Sequence, residues 1–289
     1  LRHPSPGRGE GPLAGPFPRT EPGGNMDPRP QAPRPAGLGM TAARVTLRSM
    51  TSSRPRAFRC EGVVLRHRDM GEADRLITLL TPDHGIVRAV ARGARKPTSK
   101  TGGHLDLLRH VSLTVSEGRT FRTVGQVESV EGHRSLRDDL GRMSRGIYFA
   151  ELAERFSVED APNAAVFRLL ARSLGLLEKT PAPDLLTRWF ETRLLHLSGF
   201  LPQFTVCADC GRGLAQQDHV FSAERGGILC PDCKPAGSDV LLPAGVPAIK
   251  LLRHLARSEW GAVEALRIPL DDLHQVERIL RAHLRYVVD

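Results

Sequence analysis

Four of the five cysteines form two Cys-x-x-Cys pairs. The first pair is Cys207 and Cys210, the second is Cys230 and Cys233, and nineteen residues lie between them. Each pair can place two thiolates on one turn, and two such turns supply the four sulfur ligands of a tetrahedral zinc ion. Because four thiolates leave no open coordination position, the spacing predicts one structural Zn²⁺ and not a catalytic one.

The segment between the two pairs is long enough for a small hairpin and too short for a core of its own. We assign residues 205–239 to this zinc-binding element. His219 lies inside it, and we expect it to be a surface residue and not a ligand. Two unrelated redox pairs, or four buried cysteines without a metal, are the alternative interpretation. The fifth cysteine, Cys60, lies in an apolar run, which indicates a packing role.

Residues 57–133 contain five short runs of apolar and β-branched residues that turn signals separate. The runs are Phe58–Arg66, Arg75–Thr81, Ile86–Ala91, Val111–Ser116 and Phe121–Val130. Five strands in so short a segment favour a small closed barrel, and an OB-fold is the leading candidate. The helix that usually follows the third strand would be replaced by a loop and by a turn at residues 105–109.

Positive charge is concentrated in this predicted barrel. The chain has a formal net charge of +9, and residues 88–122 alone hold eight basic against two acidic side chains. We name residues 91–103 the basic loop; it has three glycines that would let backbone amides approach a phosphate. The side chains predicted to contact DNA are Arg88, Arg92, Arg95, Lys96, Lys100, Arg119 and Arg122.

The predicted barrel has few aromatic residues on which bases could stack. Phe58 and Phe121 are its only aromatic residues. Binding should therefore be directed mainly at phosphates, be sensitive to salt, and depend little on base sequence. A solvated basic loop without a ligand is the alternative.

Residues 134–289 show apolar residues at helical spacing and predict a helical domain that the zinc-binding element interrupts. The predicted helices are Leu140–Phe156, one that begins at Pro162-Asn163 and runs to Leu177, one from Pro183 to Gly199, Val246–Ser258 and Asp271–Val288. The acidic pairs Asp138-Asp139 and Asp271-Asp272 precede helices and fit N-terminal capping. No nucleotide-binding P-loop or His-Glu-x-x-His motif occurs, so we expect no enzymatic activity.

Residues 1–56 are rich in proline, glycine and arginine and show no apolar period. We expect a disordered leader or a wrongly assigned start, and a basic tail that binds nucleic acid is the alternative. The chain has no apolar stretch of about twenty residues and no signal-peptide core. We therefore expect a cytoplasmic, nucleoid-associated protein.

Three short segments carry a resemblance to a known family. Residues 61–66, 71–76 and 91–96 resemble the amino-terminal part of the RecO family of bacterial DNA repair proteins. Together with the helical part and the four-cysteine insertion, the resemblance covers about residues 57–289. It implies an OB-fold, a helical domain, a zinc element and a recombination mediator.

The same resemblance implies a set of activities and partners. Such a mediator binds single- and double-stranded DNA and anneals complementary strands. With RecR it promotes loading of RecA onto strands coated by single-strand-binding protein. The acidic, apolar-ended tail of that protein would need a groove on the helical domain edged by arginine. The candidate edges are Arg168, Arg172, Arg188 and Arg193.

Two other functions stay open at this point. One is a zinc-stabilised protein-interaction adaptor without direct DNA contact. The other is a zinc-ribbon protein that binds RNA. The salt dependence of DNA binding and competition between DNA and RNA would separate these three hypotheses.

Overall fold

The computed structural model describes residues 57–235 and 240–288. The predicted leader, residues 1–56, and residues 236–239 at the end of the predicted zinc-binding element lie outside the described chain. Among the described residues, no helix is both long and apolar enough to cross a membrane.

The first part of the described chain is a closed five-stranded barrel. Its strands are β1 (Ala57–Met70), β2 (Asp74–Thr81), β3 (Gly85–Ala91), β4 (His110–Ser116) and β5 (Arg122–Glu131). The order around the barrel is β1-β2-β3-β5-β4, and only the β3–β5 contact is parallel. This order is that of an OB-fold, so the predicted fold is confirmed. Between β3 and β4 the chain forms the basic loop and one 3₁₀ turn, Gly102–Leu105.

One strand is longer than predicted. β1 continues four residues past Arg66, to Met70, and pairs with β2 up to Asp74. The extension is mostly polar and exposed, and its one apolar residue is Met70, so it lacks the alternating apolar signal on which a strand prediction depends.

The strands of the barrel pack on two cores. Leu79 and Val87 belong to the core inside the barrel, whereas Leu80 and Ile86 belong to the core of the helices that follow. β2 and β3 are therefore buried on both faces. Cys60 is 6% exposed inside the barrel, as predicted, and burial raises its pKa to about 11. A thiol with this pKa is protonated and unreactive at neutral pH.

The chain after residue 134 forms what we name the helical body. Its α-helices in the described residues are α1 (Leu140–Arg155), α2 (Ala164–Leu177), α3 (Pro183–Leu197), α4 (Val246–Arg257), α5 (Trp260–Glu264) and α6 (Leu270–Val288). Only α5 is missing from the sequence prediction, because five residues are too few to show a period. Its Trp260 packs against Trp189 of α3, with ring centroids 5.9 Å apart.

The predicted helix ends are largely as observed. The Asp139 carboxylate accepts a hydrogen bond of 3.0 Å from the Arg142 amide and caps α1. Asp271 and Asp272 do not precede α6 as predicted but lie inside its first turn, where negative charge offsets the helix dipole. Gly199 follows α3 with φ +80°, a left-handed conformation that glycine adopts without strain.

The segment between α3 and α4 forms a small sheet. Its strands are β6 (His219–Ser222), β7 (Gly227–Leu229) and β8 (Leu241–Ala244), in the order β7-β6-β8. The β6–β7 hairpin is the one predicted between the cysteine pairs, whereas β8 is an addition that the sequence did not indicate. Phe221 and Ile228 of this hairpin are fully buried in the core of the helical body, so the sheet is anchored there.

The barrel meets the helical body at the turn between β2 and β3. The Ile86 amide donates to the Val158 carbonyl at 3.1 Å, and the Asn163 amide donates to the Pro82 carbonyl at 3.0 Å. Gly85 lies between these bonds with φ +57°, and a Cβ there would be 2.2 Å from a backbone oxygen. The contact therefore requires glycine.

We expect Gly85→Ala to lower the free energy of unfolding by about 2–4 kcal/mol, because it adds left-handed strain to a clash with backbone. Gly71→Ala is the matched control. Gly71 has φ +62° but no atom within 4 Å of an added Cβ, so it tests strain alone, at about 1 kcal/mol. Urea unfolding of both variants measures the difference. Equal losses would contradict the close contact at Gly85.

Candidate metal centre and nucleic-acid interface

The two cysteine pairs come together at one point. The Sγ atoms of Cys207, Cys210, Cys230 and Cys233 all lie within 4.8 Å of one another. Those of Cys210 and Cys230 are 3.8 Å apart. A tetrahedron with metal–sulfur distances of about 2.3 Å has edges of roughly 3.8 Å. The four cysteines could therefore hold one metal ion.

Backbone hydrogen bonds fix the two turns. The Gly211 amide donates to the Cys207 carbonyl at 2.9 Å, and the φ of Gly211 is +72°. The Cys233 amide donates to the Cys230 carbonyl at 3.1 Å, within a 3₁₀ turn. The Cys230 amide also donates to the Cys207 Sγ at 3.4 Å, so the second turn orients a sulfur of the first.

The four sulfurs need positive charge nearby if they are to ionise together. Arg212 places its Nε 3.3 Å from the Cys210 Sγ and donates to the Asp232 carboxylate at 2.8 Å. The guanidinium lowers the pKa of Cys210 to about 6. The hydrogen bond with the Cys210 sulfur raises the pKa of Cys233 to about 12. Four sulfurs this close cannot all ionise without a neutralising cation, so the donor set fits a metal ion.

The prediction that His219 is a surface residue is wrong. His219 is only 5% exposed, and its Nε2 lies 3.0 Å from the carbonyl oxygen of Ala215. The reason is tertiary: β6 is the central strand of its sheet, and His219 lies opposite Ala244 of β8, a strand that the sequence did not indicate. A four-residue strand is too short for its period to reveal which residues are buried. His219 does not belong to the group of four metal-ligating side chains.

Four of the seven predicted DNA-contacting side chains are exposed and unpaired. They are Arg92, Lys96 and Lys100 in the basic loop and Arg119 in the β4–β5 turn. None of the four has an ion-pair partner within residues 57–235 and 240–288. Cations with no internal partner are free to neutralise phosphates.

The other three predicted side chains are engaged in ion pairs. Arg95 lies 3.3 Å from the Asp69 carboxylate. Arg88 lies 2.9 Å from Glu159, and Arg122 lies 2.7 Å from Asp160; both acids are in the α1–α2 connection. Arg88 and Arg122 thus join the barrel to the helical body.

A carboxylate that the sequence did not single out positions the basic loop. Asp74, at the start of β2, accepts a hydrogen bond of 2.8 Å from the Gly93 amide. The Arg95 amide donates to the Ala73 carbonyl at 2.9 Å, and its guanidinium donates to the Gly71 carbonyl at 3.0 Å. The β1–β2 turn therefore supports the loop. Asp74 lies in the segment 71–76, which carries part of the family resemblance, so the sequence contained a signal for its role.

Two family models match nearly all of the described chain. Recombination protein O N terminal matches residues 56–133, and Recombination protein O C terminal matches residues 137–289. The chain belongs to the RecO family of DNA repair proteins. The resemblance that the sequence showed is therefore confirmed.

Curated members of the RecO family align over most of their length. The DNA repair protein RecO of Dehalococcoides mccartyi strain 195 is 34% identical over 237 residues, which is 82% of this chain and 93% of the relative. That of Roseiflexus sp. strain RS-1 is 41% identical over 237 residues, 82% of this chain and 83% of the relative. That of Heliobacterium modesticaldum is 37% identical over 235 residues, which is 80% of this chain and 85% of the relative.

This RecO family member also has a cavity of about 580 Å³ between α2 and α3, which we name the α2–α3 cavity. Phe167 and Trp189 are among its apolar lining residues, and Arg168, Arg172 and Arg193 also line it. The fourth candidate arginine of the sequence analysis lies elsewhere: Arg188 is 3.3 Å from the buried carboxylate of Glu191.

Proposed function

We propose that this protein is a non-enzymatic recombination mediator that binds single- and double-stranded DNA through its barrel and anneals complementary strands. The observation that carries the proposal is the set of unpaired cations on the basic loop. Arg92, Lys96 and Lys100 are exposed on a loop that Asp74 holds in place, so their charge is available to a phosphate backbone. Such contacts carry no base preference, as annealing requires.

The metal ion in this proposal is zinc, and its role is structural. Four sulfur ligands that lie within 4.8 Å of one another suit a tetrahedral Zn²⁺, and four of them leave no position for a substrate. Held by Cys207, Cys210, Cys230 and Cys233, the ion would fix the two turns against the β6–β7 hairpin. That hairpin places Phe221 in the core of the helical body, so the ion supports the body as well.

The partners in this proposal are those that the resemblance to RecO implies: RecR, RecA indirectly, and the acidic carboxy-terminal tail of single-strand-binding protein. The α2–α3 cavity fits such a tail because its apolar lining could contact the apolar end and its arginines could contact the acidic residues. Arg172 and Arg193 both form ion pairs with Glu259, and the Arg193 distance is 3.6 Å. Arg168 is therefore the one arginine of this lining without an ion-pair partner among the described residues.

A salt titration tests DNA binding. About four phosphate contacts to a single strand give a log–log slope near −2.8, so affinity should fall roughly fiftyfold between 50 and 200 mM salt. The full chain is titrated with a labelled oligothymidylate and with a mixed-sequence strand, and both affinities should agree within about threefold. The adaptor hypothesis instead requires no binding at 50 mM salt. An RNA strand that displaces DNA at far lower concentration would favour the RNA-binding hypothesis.

A further inference from the structure

A separate cavity of about 550 Å³ lies between α4 and the chain that leads into α6; we name it the α4 cavity. One face of α4 lines it, through Pro247, Lys250, Leu251 and His254. These positions have the spacing i, i+3, i+4 and i+7, which places them on one side of a helix. The side of α4 that contains Ile249 and Leu252 is buried in the core of the helical body.

The inner surface of the α4 cavity is aliphatic. Leu251 is 7% exposed, and Leu266 and Ile268 are partly buried against the core of the helical body. Pro247 and Pro269 complete the apolar lining, which contains no aromatic ring. Aliphatic side chains of a ligand could be buried here. The imidazole of His254 is the one aromatic ring in the lining, so a nucleic-acid strand would find little on which to stack its bases.

The rim of the α4 cavity is cationic. Lys250, Arg257 and Arg267 line it and are exposed, and no described carboxylate forms an ion pair with any of them. Asp272 is the one acidic residue of the lining. The α2–α3 cavity differs, because Glu259 pairs with two of its arginines. The α4 cavity thus has three positive charges without an ion-pair partner and one negative charge, that of Asp272, around an apolar interior.

The lining also has an unused hydrogen-bonding atom. His254 Nδ1 lies 3.3 Å from the hydroxyl of Ser258, whereas its Nε2 is buried without a partner in the described structure. A buried polar nitrogen without a partner is uncommon in a folded protein. A ligand that enters the cavity could supply the missing partner.

We propose that the α4 cavity binds an acidic peptide segment with aliphatic side chains, contributed by a partner protein. Charge complementarity identifies the kind of ligand. Three cations without ion-pair partners favour a ligand with several carboxylates, and the aliphatic interior favours apolar side chains between those carboxylates. An inorganic anion would leave the apolar surface uncovered. The site lies on the helical body and is independent of DNA binding at the barrel.

The probe is a fluorescein-labelled peptide, Glu-Asp-Glu-Leu-Asp-Glu-Ile, titrated with the full chain in 50 mM salt. The variant Lys250→Glu, Arg257→Glu, Arg267→Glu should weaken binding at least about tenfold. Ile268→Ser should weaken it as well, whereas Leu270→Ser should not, because Leu270 is 71% exposed and is not part of the lining. Replacing leucine and isoleucine of the probe by serine should weaken its binding to the wild type and remove the difference between the wild type and Ile268→Ser.

A control with the same charge change is available on α6. Arg278, Arg281 and Arg285 are exposed, lie on one face of that helix and have no ion-pair partner among the described residues. Reversing all three to glutamate should leave probe affinity within about twofold. Three outcomes would each overturn the proposal. They are an equal loss of peptide affinity in both triple variants, unchanged peptide affinity in the cavity variant, and stronger competition by an oligothymidylate than by unlabelled peptide. Arg92→Glu, Lys96→Glu, Lys100→Glu should keep peptide binding, so this proposal and the DNA-binding proposal fail separately.

Discussion

Cys210→Ala should remove the bound metal and lower the free energy of unfolding by about 3–5 kcal/mol, because metal binding and folding of this segment are one equilibrium. Cys210 is the exposed member of the group, so its truncation leaves almost no cavity. Loss of stability would then report the lost ligand and not lost packing. The effect should reach the helical body through Phe221 and Ile228, which the same sheet contributes to its core.

The matched control is Cys60→Ala, which removes a cysteine sulfur from the barrel core. It should cost about 1 kcal/mol through packing and leave the metal content at one ion per chain. Metal analysis and urea unfolding measure both variants. DNA affinity of Cys210→Ala, measured well below its unfolding transition, should equal that of the wild type. A Cys210→Ala protein that is fully stable, or that is stable and fails only in DNA binding, would contradict a structural role for the metal.

The features that could be predicted from the sequence are set by residues close together in the chain. The spacing Cys207 to Cys210 determines one turn by itself, and Gly211 completes it with its positive φ. The barrel and five helices follow from periods of two and 3.6 residues. α5 and β8 are too short to show either period, so only the packing of Trp260 and the pairing of β8 with β6 reveal them.

The features that could not be predicted depend on contacts between distant residues. Arg88 and Glu159 are 71 residues apart in sequence, and Arg122 and Asp160 are 38 apart. A count of charges along the chain treats these arginines as part of the basic surface. Folding brings the acidic α1–α2 connection against them and neutralises them. The burial of His219 was missed for the same reason, because this residue lies opposite Ala244 of β8, a strand distant in sequence.

The ion pairs of Arg88, Arg95 and Arg122 make the proposed nucleic-acid interface smaller than the one the sequence indicated. The cations that remain available lie on the basic loop and the β4–β5 turn, on the barrel itself. Arg88 and Arg122 instead bind carboxylates at the junction with the helical body. Substitutions at these two positions therefore mix loss of charge with loss of the junction, and they are poor tests of DNA contact.

Reversing Arg92, Lys96 and Lys100 to glutamate should lower the affinity for single-stranded DNA more than about a hundredfold at 50 mM salt. Each lost phosphate contact removes about 0.7 from the salt-dependence slope, so the slope should fall by roughly 2. These side chains are exposed and unpaired, so the fold should not change. Strand annealing, followed with complementary labelled strands, should fall together with binding.

The matched control for this reversal is Lys250→Glu, Arg257→Glu, Arg267→Glu, which changes the net charge equally at the α4 cavity. If long-range electrostatics of the whole chain drove DNA binding, both triple variants would lose affinity to a similar degree. A DNA interface on the barrel predicts that only the basic-loop variant loses DNA affinity. It also predicts that the salt dependence of binding changes in that variant and not in the α4-cavity variant. Because Asp74 holds the basic loop through the Gly93 amide, a local interface also predicts weaker DNA binding in Asp74→Ala, where no positive charge is lost. Unchanged affinity in the basic-loop variant would place the DNA elsewhere on the molecule.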